Sequence, residues 1–75
     1  MNKGMDVRHR TDQEIVDQTN ALARKFYEMQ GYKVPDDFKF YLAHHPQEVA
    51  AWDMAVTAQL ELTDTDADDA LRNVE

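Results

Sequence analysis

Ile15, Thr19, Leu22, Phe26 and Met29 recur at steps of four and three, a spacing that lays them along one side of an α-helix. Val16, Ala23 and Tyr27 widen the stripe, and Asp17, Gln18, Arg24, Lys25 and Glu28 point away from it. The end signals agree. Thr11 followed by Glu14 makes a capping box, and both Asp12 and Glu14 suit the positive end of the helix dipole. Gly31 supplies a left-handed stop, after which Tyr32 can fold back on Tyr27. A helix over residues 12–30 is predicted.

A second helix is predicted over 46–62, "PQEVAAWDMAVTAQLEL". Pro46 fits a first helical position and Glu48 the first turn. Val49, Trp52, Val56 and Leu60 line one face, and Ala51, Ala55, Ala58 and Leu62 an adjacent one. Asp53, Thr57 and Glu61 form the clearly polar strip. A helix this apolar around its girth is central to a fold or covers a partner. Trp52, between Val49 and Val56, is expected to anchor the core.

The remaining segments are shorter. Pro35 keeps Val34 out of the helical region. Phe38-Lys39-Phe40 alternates like a strand, but one strand would have no partner, so a short helix is expected near 36–43. Thr65 with Asp68 repeats a capping pattern, and Ala67, Ala70, Leu71 and Val74 give a short helix over 66–73 an apolar stripe. Residues 1–10, "MNKGMDVRHR", show no periodicity and read as a disordered, mildly basic arm. The expectation is therefore a small all-α domain over 11–75, whose acidic segment 63–75 can fray. At 75 residues such a domain buries roughly 60 % of its unfolded surface, so its stability margin is thin.

The chemistry available is narrow. The chain has no cysteine and no serine, and its two glycines make no phosphate-cradling loop. Paired acids such as Asp36 and Asp37 are common at helix starts and need no acid–base role. No enzyme activity and no cofactor are expected. Asp64, Asp66 and Asp68, with Glu75 as twelfth position, mimic the rhythm of an EF-hand loop. Asp69 stands where that loop needs glycine, and an exit helix should follow Glu75, the last residue. His44 and His45 are adjacent, so on a helix they point about 100° apart and do not converge on one ion. They are expected to close a helix end, with His9 in the arm. No metal site is expected. There is no membrane-length apolar run and no signal-peptide core near Met1, which leads to the expectation of a cytoplasmic protein that does not engage a membrane.

Charge is the remaining clue. Acids and bases cancel over residues 1–45, whereas residues 46–75 hold eight acids against Arg72 alone and carry the whole net charge of −7. Such a surface repels nucleic acid and attracts basic protein surfaces. Asp53, Glu61, Asp64, Asp66, Asp68 and Asp69 are the candidate partner-binding residues. The second long helix has no Lys or Arg, which disfavours a helix-turn-helix reader of DNA. Seven aromatics are generous for this length, so Tyr32 or Tyr41 could belong to a binding surface.

Three stretches, "ARKFYEMQGYKVP" (23–35), "HHPQEVAAWDMAV" (44–56) and "LTDTDADDAL" (62–71), together resemble small acidic helical proteins encoded by phages and prophages. The resemblance covers about half the chain and carries no catalytic motif. It implies a takeover factor that binds host machinery, of the kind that docks on host RNA polymerase and alters transcription. The expected form is a monomer or weak dimer. The alternative is a structural or homo-oligomeric phage component that uses the apolar 46–62 helix.

Overall fold

The computed structural model describes residues 10–75. Its elements are α1 (Asp12–Met29), a 3-10 turn (Phe40–Leu42), α2 (Pro46–Thr63) and α3 (Ala67–Val74). The fold is all-α, with no strand among the described residues. The expected arm lies outside the described residues except for Arg10, which is half-buried and belongs to the fold.

α1 begins as its sequence implies. Thr11 Oγ1 accepts from the Glu14 amide, and Glu14 Oε1 accepts from the Thr11 amide. Its end is a Schellman turn: Gly31, at φ +97°, donates to the Glu28 carbonyl, and Tyr32 N donates to the Tyr27 carbonyl. The turn stacks Tyr32 on Tyr27 with ring centroids 4.8 Å apart.

α1 and α2 run antiparallel. Gln59 near the end of α2 bonds to Thr19, while Glu48 in its first turn faces Tyr27 near the end of α1. The faces that meet are displaced from the expected ones. Val16, Thr19, Ala23 and Tyr27 are the buried residues of α1, and Met29 is 76 % exposed. On α2 the buried line is Ala51, Trp52, Ala55 and Gln59, whereas Leu60 and Leu62 are 47 % and 80 % exposed. Alanines at the crossing explain the displacement. Ala23, Ala51 and Ala55 are fully buried, which lets the backbones approach, and this rotates the larger apolar residues to the margins. Trp52 is a core residue as expected, at 6 % exposure.

The expected short helix at 36–43 contracts to the 3-10 turn. A turn at Asp36–Asp37 and an extended Lys39 precede it, and a side chain takes the place of the missing neighbouring strand. Asn20 Nδ2 donates to the Phe38 carbonyl, and Asn20 Oδ1 accepts from the Phe40 amide. The segment thus has its strand-like backbone satisfied without a sheet. Phe40 is buried, with its ring edge-on to Tyr27 at 5.4 Å and to Phe38 at 4.9 Å. Arg24 ties down the stretch before it by donating to the carbonyls of Val34 and Asp36.

His44 and His45 close no helix. His45 opens α2 as its N-cap, its Nδ1 accepting from the Gln47 amide. At the far end α2 stops on Asp64, in the left-handed region at φ 54°. The cap of α3 is shifted one residue from the expected Thr65: Asp66 accepts from the Asp69 amide. α3 then packs against the start of α1, where Asn73 Nδ2 donates to Asp12 Oδ2.

Candidate functional site

The six candidate acids separate into three settings. Asp53 and Glu61 are exposed on α2 and, with exposed Thr57, form an outward ridge that the helix repeat continues towards Asp64. Asp64, Asp66 and Asp69 gather with Asp12 around one open cleft of about 470 Å³. Asp68 joins neither group, because its carboxylate accepts from the Trp52 indole at 3.2 Å.

Several of these carboxylates already have structural work. Asp66 caps α3, and Asp69 pairs with Arg72 at 3.2 Å while both side chains remain more than half exposed. An exposed pair of this kind contributes little to stability. Glu61 and Asp64 carry no ion pair among the described residues. The acids that mimicked an EF-hand loop serve as helix stop, helix cap and indole acceptor. Among the described residues no three His, Asp or Glu side chains gather as a metal site.

The cleft also holds a cation absent from the expected site. The Arg10 guanidinium reaches from the residue before Thr11 to Thr65 Oγ1 at 2.9 Å, Thr63 Oγ1 at 3.4 Å and Gln18 Oε1. It braces the α2–α3 corner against α1. No periodic signal could have revealed it, since Arg10 sits in an aperiodic stretch of sequence.

Asp53 instead borders a second, more open groove of about 380 Å³ between α1 and α2, with Phe26, Met54, Thr57 and Ala58. Of the two aromatics considered for a binding surface, each is half-buried and engaged. Tyr32 stacks on Tyr27 and its hydroxyl accepts from Gln47, and Tyr41 lies edge-on to Trp52 at 5.5 Å.

Tyr27 carries a perturbed titration inside the fold. Burial raises the Tyr27 phenol above its ordinary value, and the neighbouring Glu48 carboxylate and Tyr32 add to the rise. A phenol held neutral in this way serves packing.

No family model, no curated protein and no solved structure matches the chain. No described helix is long and apolar enough to cross a membrane.

Proposed function

We propose that this protein is a non-enzymatic, phage-type regulator in the host cytoplasm. It docks an acidic face on a basic host protein and thereby inhibits or modifies that protein's action. RNA polymerase is the most concrete partner, on the strength of the sequence resemblance and of the basic surfaces such enzymes present. The observation that carries the reading is the exposed line Asp53, Glu61, Asp64 along and just beyond α2, a helix without any Lys or Arg. Asp66 extends this face across the corner to α3.

The test removes charge without removing structure. Glu61→Gln, Asp64→Asn and Asp66→Asn are combined, because Asn retains both the left-handed stop and the helix cap. Purified host polymerase should retain the wild-type protein, promoter-dependent transcription should change, and binding should weaken as salt rises, chiefly through slower association. The triple variant should bind about tenfold more weakly, a modest rim effect. No retention and no effect on transcription would remove the polymerase. Binding to a captured partner that is indifferent to both salt and charge removal would remove the acidic face.

A further inference from the structure

We propose that the outward margin of α2 docks an amphipathic helix of the partner, one whose apolar stripe carries a lysine or arginine at its middle. The inference rests on the acidic-face reading and names the element of the partner that this face takes.

Val49, Asp53, Val56 and Leu60 follow one another at steps of four, three and four. On an α-helix they fall within about 60° of one another, on the Trp52 side of the buried line of α2. Met54 and Ala58 border the α1 groove on the other side. The stripe is open to solvent. Val49 and Leu60 are 37 % and 47 % exposed, Asp53 is exposed, and Val56 is half-buried against the core. From Val49 to Leu60 the stripe runs about 17 Å. A second helix lying alongside matches this spacing of three and four. An extended segment would need free backbone groups to pair with, and the side of a helix offers none.

Asp53 selects the chemistry of the occupant. It interrupts a line that is otherwise apolar, and among the described residues it makes no ion pair. A purely apolar helix laid over it would strip water from the carboxylate and leave that charge unpaired, which is costly. A cation at the matching position removes the penalty. Asp64, four residues beyond Leu60, offers a second carboxylate at the end of the line. α2 has no Lys or Arg, and the chain carries a net charge of −7. A second copy docked by the same stripe would meet Asp53 with like charge, and nucleic acid and anionic lipid are repelled in the same way.

Two synthetic peptides of leucine and lysine, equal in composition, test this by calorimetry against the full chain. One places its leucines at steps of three and four with a lysine at the middle of the stripe; the other scatters them. The striped peptide should bind about tenfold more tightly and keep measurable binding at about 0.5 M salt, where attraction between exposed charges is largely screened. Leu60→Gln should weaken that binding about tenfold with helical circular dichroism intact, as loss of an apolar contact implies. Val49→Gln is the second variant should the first disturb folding. Asp53→Leu should reverse the preference at the middle of the stripe, so that a peptide with leucine there becomes the tighter ligand. Equal binding of both peptides, abolished by salt, overturns the stripe and leaves the acidic face standing. Binding of neither peptide at low salt removes the acidic face with it. Striped binding indifferent to Leu60 and Val49, or an unchanged preference in Asp53→Leu, overturns the proposal too.

Discussion

The indole Nε1–H of Trp52 donates to Asp68 Oδ1 across 3.2 Å, and this bond fastens the first turn of α3 to the middle of α2. Trp52 thereby does two jobs: its ring fills the core against Tyr41, and its polar edge positions a neighbouring helix. A buried indole N–H needs an acceptor. Asp68→Ala should cost about 1–2 kcal/mol in chemical denaturation, while Asp68→Asn, which keeps an acceptor, should cost much less. Trp52→Ala should cost about 3–5 kcal/mol, enough to unfold most of so small a domain at 25 °C. Circular dichroism reads both; a melting point near wild type for Trp52→Ala would show that the ring is not a core anchor.

Thr19 and Gln59 form the polar centre of the α1–α2 contact. Gln59 Nε2 donates to Thr19 Oγ1 at 3.1 Å, Thr19 donates on to the Ile15 carbonyl, and Thr63 donates to Gln59 Oε1. Thr19→Val deprives a buried amide of its acceptor and should destabilise by about 1–3 kcal/mol. Adding Gln59→Leu removes the stranded donor, so the double variant should be more stable than the sum of the single changes predicts. Strict additivity in a double-mutant cycle would mean that the two side chains are not coupled.

The helices were legible in the sequence because capping, periodicity and stop signals agreed, from Thr11–Glu14 to Gly31. The rotation of their faces was not. Helical spacing ranks positions by direction, but the choice among neighbouring directions depends on which small residues let the backbones approach. Here Ala23, Ala51 and Ala55 decided, and Met29 and Leu62 were turned outward. The candidate acids were legible as a charge excess and no further. That Asp68 serves Trp52 and Asp66 caps α3 depends on the angle between α2 and α3, which the left-handed Asp64 sets. From sequence alone, Phe38–Phe40 favours a short helix because an isolated strand lacks partners. The partner was Asn20, some twenty residues earlier in the chain and indistinguishable in sequence from any polar helix position.

Asn20 makes a specific test of that substitute pairing. It presents a donor to the Phe38 carbonyl and an acceptor to the Phe40 amide, a combination only an amide supplies at neutral pH. Asn20→Ala should cost about 1–2 kcal/mol. Asn20→Asp keeps the acceptor but sets a carboxylate oxygen against the Phe38 carbonyl, so it should be at least as destabilising at pH 7. Its deficit relative to wild type should shrink as pH falls to about 4, where the carboxyl begins to carry a proton it can donate. Denaturation midpoints at the two pH values decide it. A deficit unchanged by acid would remove the carbonyl repulsion from the account.

Tyr27 links packing to alkaline stability. Burial is the main cause of its raised phenol pKa, with Glu48 and Tyr32 adding to it. The folded state therefore prefers the protonated phenol more than the unfolded chain does. The sign follows from linkage: the contribution is fully present below the unfolded value of about 10, and it is lost as pH rises through the higher folded value. Stability should hold through neutral pH and fall above about pH 10. Tyr27→Phe keeps the ring against Tyr32 and Phe40 but has nothing to ionise, so the part of the alkaline loss due to Tyr27 should vanish. Urea midpoints between pH 7 and about 11.5 should show the wild-type curve falling relative to that of Tyr27→Phe as the phenol ionises. Parallel curves over that range would mean that Tyr27 ionises alike in the folded and unfolded states.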